Sequence, residues 1–147
     1  YLLYETGNEF ITIDKEIKIL TDYIDLEKLR YSETVAINFN YEIENFAETI
    51  PPLLLIPLVE NAFKHGVSQV RGKRFVDVKC VLRSRELTFI VNNSSYPASD
   101  NPEVIDNIGL SNLRRRLHLL YRDFELITEQ KDSVFSANLS IKLSSHV

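Results

Sequence analysis

The sequence predicts an α/β (α+β) two-layer sandwich, in which helices cover one face of a mixed β-sheet. Two observations support this fold class. Stretches before residue 32 and after residue 108 carry apolar residues at helical spacing, whereas several others alternate apolar and polar residues as half-buried strands do. The 147 residues are 44% hydrophobic, which is enough for one core. We therefore expect a single domain over residues 1–147.

The first predicted element is a helix over residues 15–31. Asp14 is placed to cap its start, and Glu16 lies in the first turn, where the helix dipole favours a carboxylate. Residues 1–13 are expected to be the tail of an upstream segment. The apolar positions of the helix are Ile17, Leu20, Ile24 and Tyr31.

Five strands are predicted from period-two alternation. One covers residues 35–43, and a hairpin follows over residues 75–82 and 87–91. A second hairpin closes the chain, with strands from residue 124 to 128 and from about 135 to 143, and a turn at 130–133. The core-facing side chains of the first hairpin are Val76, Val78, Cys80, Leu87, Phe89 and Val91, and those of the last strand are Phe135, Ala137, Leu139, Ile141 and Leu143.

Residues 53–66, LLLIPLVENAFKHG, form a predicted helix from about residue 54 with two unlike sides. Pro57 fits within the first turn, where its missing N–H has no partner to lose. An advance of roughly 100° per residue separates an apolar side from a polar side. The apolar side holds Leu58, Val59, Ala62 and Phe63, and the polar side holds Glu60, Asn61, Lys64 and His65.

Residues 92–107 are rich in turn formers and lack an apolar period, which predicts a loop of a length that is often functional. A helix is predicted to resume at Gly109. Its apolar positions are Leu110, Leu113, Leu117 and Leu120, and Arg114, Arg115 and Arg116 lie near the opposite side, facing solvent or an anion.

Composition excludes several classes of protein. The net charge of −4 and the scattered basic residues argue against direct nucleic-acid binding. The single cysteine, Cys80, lies in an apolar alternation and predicts a buried thiol in a reducing compartment, which favours the cytoplasm. The longest apolar run, residues 53–59, is far below the roughly 20 residues that span a bilayer.

The polar side of the 53–66 helix suggests a site for polyphosphate and a divalent ion. Asn61 and Glu60 offer hard oxygen ligands, and Lys64 and His65 offer charge to phosphate. An equally simple interpretation is a solvated helix face. Gly109 begins a helix directly after the long loop, where free N–H groups can receive phosphate oxygens, although any loop-to-helix junction can contain one glycine.

The segments VENAFKHG and IGLSNLRRRLHLLY, together with the upstream IDKEIKILTDYIDLEKLRY, resemble the ATP-binding domain of sensor histidine kinases of the LytS/YehU type. The likeness spans nearly the whole chain. It implies membership of the GHKL superfamily and a Bergerat fold, with ATP held between helices and a lid over a mixed sheet. It also implies a C-terminal fragment of a longer inner-membrane sensor, with this domain in the cytoplasm.

The resemblance implies a role for each matching residue. Asn61 would be the Mg²⁺ ligand, Glu60 a second oxygen ligand or the base, and residues 92–107 the ATP lid. Lys64 and His65 would contact phosphates. The triphosphate would lie at the start of the last helix, near Gly109, Leu110, Asn112 and Arg114 or Arg116.

Two departures from the family pattern concern the lid. Asn93 stands where an Asp usually accepts a hydrogen bond from the adenine amine, and its neutral oxygen would contribute about 1 kcal/mol. Asn107 replaces the first glycine of the usual Gly-x-Gly, which Asn tolerates because it visits left-handed conformations. None of His65, His118 and His146 has the surroundings of the acceptor histidine, which the resemblance places upstream.

Three functions follow from these observations. The first is a histidine kinase catalytic domain that uses ATP and Mg²⁺, phosphorylates a histidine on the upstream segment of a homodimer and supplies a response regulator. The second is a pseudokinase that keeps the fold and signals through protein contacts, because Asn93 and the missing glycines weaken ATP binding. The third is a serine kinase of the anti-sigma type.

Overall fold

The computed structural model describes residues 9–31, 33–67, 70–96 and 108–147. Three helices and a 3₁₀ turn accompany two sheets within these ranges. The helices are α1 (Ile13–Tyr31), α2 (Ile56–Asn61, continued by a π-helical turn at Ala62–Gly66) and α3 (Ile108–Leu120), and the 3₁₀ turn is Leu143–Ser145. The strands are β1 (Ile11–Thr12), β2 (Val35–Ile43), β3 (Thr49–Ile50), β4 (Arg74–Arg83), β5 (Glu86–Ser94), β6 (Phe124–Lys131) and β7 (Val134–Lys142).

The main sheet has five strands in the order β2-β4-β5-β7-β6. β2 runs parallel to β4, and all other neighbours are antiparallel. The β4–β5 hairpin turns at Ser84 and Arg85, which both have positive φ, as a two-residue hairpin turn matched to strand twist requires. β1 and β3 form a separate antiparallel pair. The sheet is therefore mixed, as predicted.

One core lies between the sheet and the helices. Side chains of α1, α2 and α3 and of the inward faces of β4, β5 and β7 belong to the same buried cluster. Every side chain predicted for the core faces of the first hairpin and of the last strand is buried. The predicted two-layer sandwich is confirmed. In the described part of the chain, no helix combines the length and apolar character needed to cross a bilayer.

The beginning of α1 differs from the prediction. The helix starts at Ile13, so Asp14 lies inside its first turn, and the prediction that Asp14 is the cap was wrong. Thr12 Oγ1 instead accepts a long hydrogen bond of 3.4 Å from Lys15 N. Of the predicted tail, Ile11 pairs with Ile50 and Ile13 is fully buried.

Other boundaries also move. β5 continues to Ser94, so the predicted loop cannot start at residue 92, and most of it, residues 97–107, lies outside the described residues. α2 begins at Ile56 rather than 54, after Leu53 with a φ of 59°. β6 runs to Lys131, which confines the last hairpin turn to residues 132–133.

Candidate functional site

The candidate site is built around the α2 helix and its π-helical continuation. Pro57 lies in the first turn, as expected. The four residues predicted for the apolar side are buried in the core: Leu58, Val59, Ala62 and Phe63. On the other side, Lys64 and His65 are exposed and Glu60 is half-buried.

Asn61 departs from the predicted polar side because only 8% of it is exposed. Its amide thus lies at the inner edge of the site rather than on a solvated face. Glu60 and Lys64 form an ion pair, with 3.8 Å between Oε2 and Nζ. These two side chains therefore lie together on the more exposed side of the helix, which we call the rim of the site.

The helix widens into a π turn directly after Asn61. The backbone N–H of Val67 donates to the carbonyls of both Ala62 and Phe63, the first of which is the five-residue spacing of a π-helix. Single π turns inside α-helices are rare and are frequent at functional sites. Here the turn ends at Gly66, which faces strand β5.

Gly66 lies against the side chain of Asn93 on β5. A β-carbon on residue 66 would overlap Asn93 Nδ2, lie 3.0 Å from its Cγ and lie 3.3 Å from Ser94 O. Only glycine lets the end of the helix approach the strand this closely. The contact connects the helix that carries Asn61 to the end of the central strand.

The side-chain amide of Asn93 is oriented by its own strand. Its Nδ2 donates to Ser94 O at 2.9 Å, and the residue is 1% exposed. Its Oδ1 finds no hydrogen-bond donor among the described residues. A buried acceptor without a partner costs about 1–3 kcal/mol, so this oxygen is placed to accept a donor that the described residues do not supply.

Ser94 and Ser95 fix the end of β5, and sequence analysis assigned them to a loop. Ser94 Oγ accepts a hydrogen bond from Phe75 N at 3.1 Å, and Ser95 N donates to Ser133 O at 2.9 Å. Both serines are buried. Their composition favours a turn, and no periodic signal in the sequence indicates that β5 continues to Ser94.

The start of α3 provides the second side of the site. α3 packs against α2, with Leu110 buried and Gly109 and Asn112 exposed. The first N–H groups of a helix have no partner within it, and the helix dipole favours an anion there. The predicted phosphate-binding residues Gly109, Leu110 and Asn112 thus lie in the first turn and a half of a helix beside α2.

Two arginines of α3, Arg114 and Arg116, bond backbone carbonyls elsewhere in the fold. Arg116 Nη2 donates to Pro52 O at 2.8 Å and Nη1 donates to Leu53 O at 3.3 Å. Arg114 Nη1 donates to Leu126 O at 2.7 Å. Burial lowers the pKa of Arg116. The structure therefore brings Arg116 to the turn before α2 and not to Gly109.

Glu16 is a buried polar residue that the sequence analysis assigned only to a helix terminus. It is 0% exposed, and its two oxygens accept hydrogen bonds from Leu53 N at 2.9 Å and Leu55 N at 3.1 Å. Burial raises its pKa, and these backbone donors and Arg116 oppose that rise. The signal was present, because Glu16 stands three residues after Ile13 and four before Leu20, on the apolar face.

Asn61 and Glu60 carry side-chain oxygens of the kind that could bind a magnesium ion. Mg²⁺ commonly takes only one or two protein oxygens and completes its shell with phosphates and water. The amide oxygen of Asn61 and the carboxylate of Glu60 are such donors, next to each other on α2. Within the described ranges, no group of three His, Cys, Asp or Glu side chains could hold a metal ion.

Known proteins similar to this chain include bacterial sensors. The chain is 31% identical over 134 residues to the sensor histidine kinase YpdA of Escherichia coli, covering 82% of the chain and 23% of YpdA. It is 30% identical over 125 residues to the sensor protein LytS of Staphylococcus haemolyticus, covering 78% of the chain and 21% of LytS. An uncharacterized protein, YwpD of Bacillus subtilis, is 28% identical over 137 residues, covering 88% of the chain and 49% of YwpD.

The chain spans only about a fifth to a half of the length of these relatives. No protein-family model matches it.

Solved structures with a similar fold include histidine kinases. The histidine kinase domain of the Erythrobacter litoralis EL346 blue-light activated kinase superposes with a TM-score of 0.68 at 18% identity, covering 91% of this chain and 62% of that one. The catalytic domain of the histidine kinase ThkA gives 0.64 at 14% identity, covering 91% and 95%. ThkA in complex with the response regulator protein TrrA gives 0.56 at 17%, covering 90% and 41%. At these identities the likeness establishes the fold.

Proposed function

This chain is homologous to sensor histidine kinases of the LytS and YpdA type and has the fold of a histidine kinase catalytic domain, and we propose that it is their ATP-binding domain. In this proposal the domain transfers the γ-phosphoryl group of ATP to a histidine on an upstream segment. The observation that carries the proposal is the unpartnered Oδ1 of Asn93, beside the helix that bears Asn61.

The end of the site that holds the adenine base would lie at Asn93. One N–H of Nδ2 donates to Ser94 O, which sets the orientation of the amide and leaves Oδ1 as the acceptor that it presents. The exocyclic amine of adenine is a donor at the matching position, whereas a 6-oxo purine presents an acceptor there. The geometry thus favours adenine over guanine or hypoxanthine.

The phosphate end would lie between α2 and α3. Asn61 would hold Mg²⁺, Lys64 and His65 would supply positive charge from the rim, and the first turn at Gly109, Leu110 and Asn112 would receive phosphate oxygens. When bound, the ion would neutralise charge on the phosphates. Arg116 lies about two turns further along α3 and contacts backbone carbonyls, so we give it a supporting role instead.

Phosphoryl transfer requires that ATP and the acceptor histidine be positioned and that a general base accept a proton. An imidazole nitrogen would form the new N–P bond as the β–γ bridging P–O bond breaks and ADP leaves, and Glu60 would accept the imidazole proton. Glu60 is half-buried, and its ion pair with Lys64 is long, at 3.8 Å. Its carboxylate therefore lies on the rim, where an acceptor can approach.

The partners proposed follow from the relatives. LytS and YpdA are sensor proteins, and ThkA has been seen with a response regulator. We propose a response regulator as the final phosphate acceptor, a homodimer in the full-length protein, and a cytoplasmic position for this domain in an inner-membrane sensor. Direct binding of nucleic acid is not part of the proposal.

Titration calorimetry with ATP and with inosine triphosphate, both with Mg²⁺, tests the proposal. We expect the unmutated chain to prefer ATP by about tenfold, the value of one good hydrogen bond. Asn93→Ala should remove that preference, and Asn61→Ala should abolish Mg²⁺-dependent binding. Asn38→Ala is the matched control, since Asn38 bonds Asp77 on the exposed sheet surface. Absence of ATP binding at millimolar concentration would refute the proposal.

The burial of Asn93 also favours one alternative. An amide oxygen with almost no exposed surface must be uncovered before a nucleotide can reach it, and a neutral amide offers less than a carboxylate. The cost of uncovering this oxygen weakens ATP binding, as expected for a pseudokinase that signals through protein contacts. The same titration separates the two functions, because the pseudokinase would show neither ATP binding nor discrimination between the two nucleotides.

A further inference from the structure

The turn that precedes α2 is held from both sides by oppositely charged side chains. Glu16 of α1 accepts the backbone N–H of Leu53, and Arg116 of α3 donates to the backbone carbonyl of the same residue. Glu16 also accepts Leu55 N–H, and Arg116 also donates to Pro52 O. We call Glu16, Leu53 and Arg116 the Leu53 clamp.

Leu53 has the backbone geometry of a residue that needs such support. Its φ of 59° lies in the left-handed region, which a branched side chain adopts rarely and at an energetic cost. The surroundings must therefore determine this conformation. The Glu16 carboxylate, which accepts the N–H of Leu53, and the Arg116 guanidinium, which donates to its carbonyl, do so.

The buried carboxylate is costly unless it is fully bonded. Glu16 is completely buried, and removing a carboxylate from water is unfavourable in the absence of donors and a counter-charge. The backbone of residues 53–55 supplies the donors, and Arg116 supplies an attractive charge. Both oxygens of the Glu16 carboxylate accept hydrogen bonds from the same turn. The carboxylate therefore fixes the geometry of that turn.

The Leu53 clamp links the three helices around the proposed nucleotide site. Its carboxylate comes from α1, and its guanidinium comes from α3, whose first turn carries Gly109. Its central residue, Leu53, lies three residues before α2, which carries Asn61. We infer that Glu16 and Arg116 are positioning residues that set α2 and α3 relative to each other, and thereby hold the Mg²⁺ ligand at the right place for the triphosphate. The nucleotide in this inference rests on the proposed function, whereas the hydrogen bonds to Leu53 do not.

Hydrogen–deuterium exchange of the unliganded chain tests the geometric part. Glu16→Gln keeps the shape but replaces one acceptor oxygen with a donor, and Arg116→Met removes the charge. We expect each variant to speed amide exchange about tenfold in residues 53–66 and also in residues 108–120. Val78→Ala is the control, because it removes core volume in β4 and none of the hydrogen bonds of the Leu53 clamp. Exchange that matches the control in both helices would overturn the Leu53 clamp.

Nucleotide affinity tests the positioning role. We expect Glu16→Gln and Arg116→Met to weaken ATP binding about tenfold, the usual effect of losing a residue that orients a ligand, while adenosine affinity stays unchanged. A purely stabilising role would lower the melting temperature and leave both affinities unchanged. Equal losses for ATP and adenosine would also contradict positioning of the phosphate half. If the unmutated chain binds no ATP, the proposed function fails, and the exchange experiment alone decides the clamp.

Discussion

Gly66 lies so close to Asn93 that a β-carbon would overlap the Asn93 side-chain amide. The relationship connects a π-helical turn to the end of the central strand. It also makes a glycine in a helix, which is normally unfavourable, necessary at this position.

Gly66→Ala should reduce ATP affinity about tenfold and also lower stability. Alanine favours a helix by about 1 kcal/mol over glycine. Displacing Asn93 breaks its bond to Ser94 O, which costs about the same. Forcing the buried Asn93 side chain aside adds an overpacking cost of about 1–3 kcal/mol, so the net effect is destabilising, and the acceptor for adenine also moves. Calorimetry and thermal unfolding measure both quantities. Gly72→Asn is the control, since Gly72 has a φ of 89° with open space around it.

Asn93→Asp should bind ATP more tightly than the unmutated chain while being less stable without it. The carboxylate cannot donate to Ser94 O, and its oxygen faces that carbonyl in a buried site, at a cost of about 1–3 kcal/mol. A charged acceptor for the adenine amine is stronger than a neutral one. Urea unfolding and calorimetry measure the two effects. Weaker ATP binding by the variant would contradict a place for Asn93 at the adenine.

Glu60→Gln should separate catalysis from binding. We expect ATP affinity to change by less than about threefold, because the side chain is on the rim and its ion pair with Lys64 is worth at most about 1 kcal/mol. Phosphoryl transfer should fall about 10²–10⁴-fold if Glu60 is the base. Labelled phosphate on the full-length protein provides the measurement. Normal phosphoryl transfer by the variant would mean that a group other than Glu60 is the base.

Alkaline pH should destabilise the fold partly through Cys80. Burial raises the pKa of this thiol from its ordinary 9.0 to about 12. The unfolded chain therefore loses a proton that the folded chain retains, so stability is full below pH 9 and falls between about pH 9 and 12. The loss amounts to a few kcal/mol, since one pKa unit is about 1.4 kcal/mol. Urea unfolding at several pH values should show a shallower decline for Cys80→Ala, and parallel declines would contradict the assignment.

Most of the fold was predictable because its signals are periodic. Apolar alternation identified β2, β4, β5 and β7, and helical spacing identified α1 and α3. The two-residue strands β1 and β3 are too short to show a period. The π turn after Asn61 also leaves no trace in composition, because it changes the hydrogen-bond spacing and not the residue pattern.

The site was predicted in part. Asn61, Gly109 and Asn93 were identified as candidates, and their assigned roles remain proposals. Ser94 was assigned to a loop because its composition favours turns, while its pairing with Val134 places it in the sheet. Glu16 and Arg116 were assigned to a helix terminus and to phosphate. Only the tertiary structure shows that both contact Leu53, because that contact joins residues far apart in sequence.

The parallel pairing of β2 with β4 has a consequence for the order of folding. Val35 pairs with Arg74, 39 positions later, whereas the β4–β5 hairpin closes from Arg83 to Glu86. Closing a long loop costs more entropy than closing a short one, so we expect the two hairpins to form first and β2 to join the sheet edge late. α2 lies inside that crossover. The part of the chain proposed to hold the metal would then be among the last to become ordered, and a nascent chain would acquire its hairpins well before it could bind nucleotide.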